Sequence, residues 1–337
     1  MTTKRKPTLL EAISGFLFMA VVIGVGFGIY GISIQILLIV AAAYAAWIGL
    51  RVGLTWAEME EGISVRIGKV MPAIFILFSV GIIVGSWMYA GTVPMLIYYG
   101  LKIISPTYFL VTAFIIVAVV SVGTGTAWGS TATAGVALMG IASQIGIPLG
   151  MAAGAVIAGG VFGDKLSPLS DTTNLAPLVT GVQLFEHIRH MLYTTLPAAL
   201  IGIIVYLIAG FSLQTNSNAD LSSVQSLMAE LDSIFHWNIW MLLPFAVIFW
   251  GAWRKHPTVP IMLFSSAVAV VVGMFSNRFA FADGMKAMTN GFDIAMIEHA
   301  GLASTGFSET VLSLLNRGGL FSMTTIAITI ICGYAFA

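Results

Sequence analysis

Polar residues of the kinds that bind small cations are concentrated in one stretch in the middle of the chain, Asp164–Ala176. The stretch contains two carboxylates, one ammonium group, four hydroxyls and one amide, and Pro168 interrupts it. It follows 61 consecutive residues, 103–163, without any Asp, Glu, Lys or Arg. A charge inside a membrane costs about 2.5–3.5 kcal/mol on insertion scales, so such groups usually line a cavity that serves ions or substrate. The pattern therefore predicts a cation site beside apolar membrane spans.

Asp171 and its neighbours supply the chemistry that an exchange of Na+ for H+ requires. Hard cations prefer oxygen ligands. The side chains that could dehydrate Na+ together, with one compensating negative charge, are those of Asp171, Ser170, Thr172, Thr173 and Asn174. A desolvated carboxylate also favours its protonated form. Asp171 could therefore bind either Na+ or H+ but not both, which is the minimum chemistry of antiport.

The backbone around this stretch is predicted to leave the helical path. Pro168 cannot continue a regular helix, and Gly163 permits an abrupt turn. Unwound backbone offers carbonyl oxygens, and it is tolerated at membrane depth only around a polar cavity. We therefore predict a hairpin over residues 160–180, in which Asp164 and Asp171 contact Na+.

Simpler roles are open for the same side chains. Asp164 could pair with the adjacent Lys165, and Asp171 could cap the N-terminus of a helix. The four hydroxyl groups could bond their own backbone as turn residues, and Asn174 could do the same. The hydroxyls concerned, each also a candidate cation ligand, belong to Ser167, Ser170, Thr172 and Thr173.

A second segment, 123–131, is rich in glycine and hydroxyl residues and is the upstream candidate for the site. A helix break at Gly123 and Gly125 would free carbonyl groups toward the Asp-containing stretch, with Thr124 and Thr126 as further ligands. The alternative for this segment is helix–helix packing through small residues.

Two motifs resemble the NhaC family of sodium/proton antiporters. They are GVFGDKLSPLSDTTNLA, at 160–176, and the looser GTGTAWGST, at 123–131. The resemblance implies a secondary transporter of the bacterial inner membrane that exchanges Na+ for H+ by alternating access and needs no cofactor. The family also includes sodium-coupled exchangers of small organic acids of the malate/lactate type. In that alternative, Lys165 would be the partner of the substrate carboxylate.

Composition places the chain among polytopic membrane proteins of the all-α class. Charged residues make up 8% and hydrophobic residues 58% of the chain, whereas soluble domains average about 25% charged residues. Lys+Arg and Asp+Glu are both 14, which excludes a basic nucleic-acid-binding protein. The sequence has no Walker A motif, hydrolase elbow or cysteine pair, which argues against a primary pump or an enzyme. His236, His256 and His299 are scattered and show no metal-ligand spacing.

About ten transmembrane helices are predicted, since a helix of about 20 residues crosses the hydrocarbon. The segment 92–106 is too short to cross and is predicted to lie at an interface or to re-enter. Breaks are predicted at 123–126 and at 146–148. The predicted spans are 10–29, 32–50, 70–91, 107–122, 128–145, 148–163, 190–211, 236–253, 258–275 and 319–337.

The distribution of basic residues predicts a cytoplasmic N-terminus. The basic N-terminus, the loop that carries Arg51, Arg66 and Lys69, and the Arg254–Lys255 pair are all predicted inside. The loop 213–235 has no Lys or Arg and is predicted outside. Seven spans between the N-terminus and that loop satisfy both assignments.

A weak internal repeat predicts two transmembrane repeats of inverted topology, a frequent plan of secondary transporters. MEEGI at 59–63 and MTNGF at 288–292 each follow a pair of predicted helices. The first repeat would be 1–212 and would contain the hairpin; an external loop, 213–235, would precede the start of the second repeat, 236–337. The second repeat is expected to be truncated, and a homodimer is left open.

Overall fold

The computed structural model describes residues 4–103, 105–124, 127–167, 170–214, 221–254 and 256–336, and every regular element within these ranges is helical. The chain forms two compact units. Unit 1 comprises Met1–Phe78 and Met323–Ala337, and unit 2 comprises Ser79–Ser322.

The α-helices of the described residues are numbered α1 to α16 in chain order. They are Leu9–Gly28, Ile34–Arg51, Trp56–Ala90, Thr92–Ile103, Phe109–Thr124, Ala127–Ser130, Val136–Gln144, Leu149–Leu166, Asp171–Thr180, Leu184–Gln214, Leu221–Ile234, Leu243–Trp253, Thr258–Asn277, Phe281–Asn290, Glu309–Leu315 and Thr324–Phe336. A π-helix, Thr131–Gly135, joins α6 to α7. Short 3-10 helices are formed by Pro106–Tyr108, Ile239–Leu242, Ile294–Ala300 and Leu320–Met323.

Helix α3 begins earlier than the predicted span at 70–91. Thr55 N donates to a Glu58 carboxylate oxygen at 3.0 Å, and Glu58 N donates to Thr55 Oγ1 at 3.4 Å. This reciprocal cap starts the helix at Trp56. The prediction that Arg66 and Lys69 lie in a loop is therefore wrong, because both residues are on α3.

Unit 1 is held together by contacts of α2 with α1 and α16. The Phe18 and Tyr44 rings stack with centroids 4.2 Å apart. Gln35 Nε2 donates to Thr329 Oγ1 of α16 at 2.7 Å. Such polar contacts between apolar helices add direction to packing that small and aliphatic side chains provide. A small buried cluster contains Val70, Ile74, Leu77 and Ala327.

In unit 2, the backbones of α5 and α8 approach each other closely at two glycines of α8. A Cβ atom on Gly159 would lie 2.4 Å from the carbonyl oxygen of Phe114. A Cβ atom on Gly163 would lie 2.3 Å from the carbonyl oxygen of Ala118. Small residues allow this approach where no side chain separates the helices, and it brings the end of α8 against the end of α5.

Helix α3 makes a similar backbone contact with α14 within unit 2. A Cβ atom on Gly85 would lie 1.9 Å from the Ala287 carbonyl oxygen. Gly319 N donates to Gly81 O at 2.8 Å, so the turn before α16 also lies against α3. Trp87, fully buried, donates its indole N–H to Ser265 Oγ at 3.1 Å and thereby joins α3 to α13.

The helices fall where the spans are predicted, and the chain is a multi-pass membrane protein. Each of the ten predicted spans overlaps a helix. Within the described residues, six helices are long and apolar enough to cross a membrane, or seven if Gln225–Ile234 and Ile239–Gly251, bent by 99°, form one span. The number of ten crossings and the inverted repeats stay predictions.

Two predicted segments differ in detail from the structure. The loop 213–235 contains the helix α11, Leu221–Ile234. The predicted span 128–145 is not one regular helix, because α6, the π-helix and α7 divide it. The small-residue run that contains Gly129 and Gly135 explains the division, since glycine weakens the regular helix.

Candidate cation site

The chain leaves the helical path at the position where the hairpin is predicted. Helix α8 ends at Leu166, and Ser167 is extended with φ −80° and ψ 126°. Ser170 is also extended, with φ −73° and ψ 131°, and α9 then begins at Asp171. Pro168, on which the predicted break rests together with Gly163, lies outside the described residues, as does Leu169. The backbone is thus extended at Ser167, before the proline, and at Ser170, after it. The abrupt turn predicted at Gly163 is wrong, because Gly163 lies within the regular helix α8.

The start of α9 is capped by Ser170. Its hydroxyl oxygen accepts a hydrogen bond from Thr173 N at 3.4 Å. Asp171 is therefore the first helical residue, and the N-cap position that the sequence offers to Asp171 belongs to Ser170. A hydroxyl at this position satisfies one of the unpaired N–H groups of the first turn.

Hydrogen bonds join the end of α8 to the first turn of α9. Thr173 Oγ1 lies 3.0 Å from the carbonyl oxygen of Asp164 and 3.2 Å from that of Lys165. Thr172 Oγ1 donates to Asp164 Oδ2 at 3.2 Å, and it lies 3.0 Å from Ser170 Oγ. Five oxygen-bearing residues predicted for the site, Asp164, Ser167, Ser170, Thr172 and Thr173, are thus gathered at the break.

Helix α5 contributes a second wall through its own backbone and a serine. Ser167 Oγ donates to the carbonyl oxygen of Val122 at 2.7 Å. Ser121 Oγ donates to the carbonyl oxygen of Gly160 on α8 at 2.6 Å. Neither Ser121 nor Val122 is predicted from the sequence. Ser121 lies outside both motifs, and an apolar residue such as Val122 gives no sign that its carbonyl group faces a polar site.

The five residues gathered at the break, Asp164, Ser167, Ser170, Thr172 and Thr173, form what we call the oxygen cluster. This cluster has a buried side and an exposed side. Ser167 and Ser170 are fully buried, and Thr173 is 3% exposed. Asp164 is half-buried, and Thr172 and Lys165 are exposed. A hydroxyl that donates its proton keeps lone pairs for a cation. The arrangement can therefore offer several oxygens of low solvent access next to one carboxylate that water and ions can reach.

Asp164 is not neutralised by its neighbour in sequence. The structure describes both side chains, and Asp164 and Lys165 form no salt bridge in it. The described residues also contain no cluster of three or more His, Cys, Asp or Glu side chains that could hold a resident metal ion. The donor set is that of hydroxyl and carbonyl oxygens around a single described carboxylate.

The upstream segment packs on α8 close to the break. Helix α5 ends at Thr124 and α6 begins at Ala127. A Cβ atom on Gly160 would lie 2.9 Å from Thr131 Cγ2, and Thr131 Oγ1 donates to the Ala127 carbonyl oxygen at 2.8 Å. The segment therefore contacts α8 through small residues, as the packing alternative predicts.

Several predicted ligands cannot be placed within the cluster. Thr126 lies outside the described residues, and so do the side chains of Asp171, Asn174 and Thr124. The backbone of Asp171 and Asn174 belongs to α9, and that of Thr124 ends α5.

The sequence of the chain is similar to those of known antiporters. The model of the Na+/H+ antiporter family matches residues 159–337, which include the whole of the predicted hairpin. A protein of Haemophilus influenzae named as an uncharacterized Na+/H+ antiporter is 41% identical over 333 residues, which are 99% of this chain and 70% of that protein.

Two further relatives differ in the activity that their names state. The malate-2H+/Na+-lactate antiporter of Bacillus subtilis is 36% identical over all of this chain and 69% of its own length. The Na+/H+ antiporter NhaC of Alkalihalophilus pseudofirmus is 40% identical over 87% of this chain and 60% of its own length. No solved structure shows a significant match to the chain.

Proposed function

The chain belongs to the Na+/H+ antiporter family, and we propose that it exchanges Na+ for H+ across a membrane by alternating access. In that mechanism one part of the protein moves against another around a site near the middle of the bilayer. We place this site at the break between α8 and α9. The relatives named as Na+/H+ antiporters support the pair of transported ions.

The observation that carries the proposal is the gathering of oxygens at the break. The hydroxyls of Ser170 and Thr172 form one hydrogen-bonded chain with the Asp164 carboxylate. The Thr173 hydroxyl donates to the main-chain carbonyl oxygen of Asp164, and Ser167 joins the same residues through main-chain hydrogen bonds. Oxygen ligands of this type suit a hard cation. An apolar helix pair does not need such a group for packing, because polar groups inside a membrane are costly.

We propose that Na+ and H+ compete for binding to the carboxylates of Asp171 and Asp164. A carboxylate that loses water when the site closes favours its protonated form, and a bound Na+ favours its ionised form. The two ions are therefore bound alternately. Asn174 and the threonines at 124 and 126 complete the proposed ligand set from the two motifs.

The membrane arrangement is proposed from the charge pattern. Ten crossings, two inverted repeats, a cytoplasmic N-terminus and an external segment 213–235 are compatible with the helix positions. The proposed membrane is the bacterial inner membrane. An inverted repeat would place the break between α8 and α9 where the two repeats meet.

Exchange of a small carboxylate is the second candidate function. It is favoured by the malate-2H+/Na+-lactate antiporter among the relatives. It is also favoured by Lys165, which is exposed beside the oxygen cluster and makes no salt bridge with Asp164. An ammonium group at this place could bind the carboxylate of an organic acid.

Reconstitution into proteoliposomes separates the two candidates. Internal pH is recorded after Na+ is added outside, first alone and then with malate or lactate present. Proton movement driven by Na+ alone is the expected result. Movement that requires a carboxylate would replace simple Na+/H+ exchange by organic-acid exchange, and Lys165→Ala would then abolish it.

A further inference from the structure

A buried carboxylate that the oxygen cluster does not use lies in α14. Asp283 is 2% exposed, in the first turn of that helix. A buried ionised carboxylate without a partner is strongly unfavourable, so its neighbours must compensate the charge or supply a proton. The groups around Asp283 therefore decide what this residue can do.

The partner of Asp283 is a histidine that reaches the surface. His299 Nδ1 lies 2.6 Å from Asp283 Oδ2. The side chain of His299 is 60% exposed, whereas that of Asp283 is 2% exposed. The pair thus connects a buried carboxylate to solvent through an imidazole ring. Histidine is the side chain whose ordinary titration falls between about pH 5 and 8.

The elements packed against α14 bring no competing salt bridge. From α3, the Tyr89 ring lies against Gly284, but its hydroxyl donates to the Ala280 carbonyl oxygen at 2.9 Å. Helix α13 has no charged residue between Thr258 and Asn277. Among the described residues, His299 is the only basic side chain in salt-bridge contact with Asp283.

The other charged groups of this region are exposed or engaged elsewhere. Arg278, at the end of α13, and Lys286, on α14, are exposed. Arg317 donates its Nε–H to the Ser313 carbonyl oxygen at 2.6 Å. Glu298, next to His299, accepts a hydrogen bond from Ser304.

We propose that Asp283 and His299 form a second proton-binding site, separate from the oxygen cluster, whose protonation state sets the pH range in which the protein exchanges ions. The proposal rests on the proposed Na+/H+ exchange. A proton from solvent is taken up at the exposed ring nitrogen, Nε2, of His299, and the ring changes from neutral to cationic. The buried Asp283 holds Nδ1–H in both states and fixes the orientation of the ring.

The hydrogen bond itself has a spectroscopic test that does not depend on transport. In protein with ¹⁵N-labelled histidine, the neutral His299 ring is expected to carry its proton on Nδ1, because Asp283 accepts from that atom. The signal of His299 is identified by its loss in His299→Gln. In Asp283→Leu, which removes the acceptor oxygen, the neutral ring is expected to lose its fixed Nδ1–H tautomer. A wild-type neutral ring protonated on Nε2 would overturn the pair.

The transport test compares two fixed states of the ring. His299→Gln mimics the neutral ring, and His299→Arg carries a permanent charge. Both variants are expected to flatten the pH profile of Na+-dependent proton movement, because neither glutamine nor arginine exchanges a proton in place of the ring. They should resemble wild type at high pH and at low pH, respectively. His256→Gln is the matched control, since the His256 ring lies tilted against Trp250 and His256 forms no salt bridge with a carboxylate among the described residues.

The outcomes separate this proposal from the proposed function. Unchanged pH profiles in both His299 variants would refute the second site while Na+/H+ exchange stood. Absence of Na+-driven proton movement in wild type would refute the proposed function, and the tautomer of His299 would still decide whether the pair exists.

Discussion

Single side chains at the helix break carry the main chemical claims. Thr172 and Thr173 bond to Asp164 and hold the first turn of α9 against the last turn of α8. The site therefore depends on hydroxyls that have both a structural bond and a lone pair for a cation. Substitutions that separate these two roles are the most informative ones.

Neutralising either carboxylate is expected to stop Na+-driven proton movement. Asp171→Asn and Asp164→Asn should each lower the rate at least about tenfold, since tenfold corresponds to about 1.4 kcal/mol and a charged contact is commonly stronger than that. The measurement is proton flux in proteoliposomes, with the inserted protein quantified in parallel. Glu60→Gln, an exposed carboxylate on α3, is the matched control and should keep full activity. Full exchange activity in Asp171→Asn would contradict the assignment of Asp171 as an ion ligand.

Thr173 offers a graded test of the contact between the two helices. Thr173→Val removes a hydroxyl that lies near two carbonyl oxygens, those of Asp164 and Lys165. Loss of such a bond in a buried place costs about 1–3 kcal/mol. We expect a lower midpoint of thermal unfolding in detergent and a weaker dependence on Na+. Thr173→Ser keeps the hydroxyl and should stay near wild type; a loss in Thr173→Ser with none in Thr173→Val would assign the effect to the methyl group instead.

At the scale of the elements, α5 and α8 form a close backbone contact. Gly159 and Gly163 leave no room for a side chain on the α5 side of α8. On the same helix, Gly150 and Gly154 have nothing within 4 Å of an added Cβ atom. Substitutions at glycines with and without neighbouring atoms can therefore be compared on the same helix.

Gly163→Ala is expected to destabilise the protein, whereas Gly154→Ala is not. The added methyl group of Gly163→Ala would meet the Ala118 carbonyl oxygen at 2.3 Å. Overpacking of this kind costs about 1–3 kcal/mol. Gly154→Ala should be neutral or should stabilise the helix by up to about 1 kcal/mol. The midpoint of thermal unfolding in detergent is measured for both variants. An unchanged midpoint for Gly163→Ala would show that α5 can move away to make room for the methyl group.

The positions of the helices could be predicted from hydropathy, but their ends and contacts could not. Long apolar runs specify α1 and α2 within a few residues of the predicted spans. The early start of α3 depends on the Thr55–Glu58 cap, which hydropathy does not register. The motif at 160–176 identified the family correctly, as the relatives and the family match show.

The residue types of the candidate site could be predicted from the sequence, but the contacts between its residues could not. The end of α8 at Leu166 and the clustering of Ser167, Ser170 and Thr173 follow from residue types. The carbonyl oxygen of Val122 and the Asp283–His299 pair do not, because each depends on contacts between residues far apart in sequence. Their residue spacing matches no helix period or ligand motif.

At the scale of the whole molecule, the charge pattern makes a prediction about orientation. The basic N-terminus is expected in the cytoplasm, and the segment that contains α11, with acidic residues and no Lys or Arg, is expected outside. The two ends of the first predicted repeat are therefore expected to lie on opposite sides of the membrane.

Cysteine labelling tests this orientation directly. The single native cysteine is first removed as Cys332→Ser. In intact cells, a membrane-impermeant maleimide should react with Ser233→Cys, which is exposed at the end of α11. Lys6→Cys should react only after the membrane is permeabilised. The reverse pattern would invert the topology, and labelling of both sites would remove the predicted odd number of crossings between them.

The glycine contacts between α5 and α8 limit how segments can be exchanged among relatives. Chimeras between this chain and the malate-2H+/Na+-lactate antiporter are a direct way to locate the determinants of substrate choice. A chimera that imports α8 alone with any larger residue in place of Gly159 or Gly163 would set a side chain against the Phe114 or Ala118 carbonyl group. Both helices therefore have to be transferred together, with crossover points placed before Phe109 and after Thr180, if loss of transport is to be interpreted as a change of specificity.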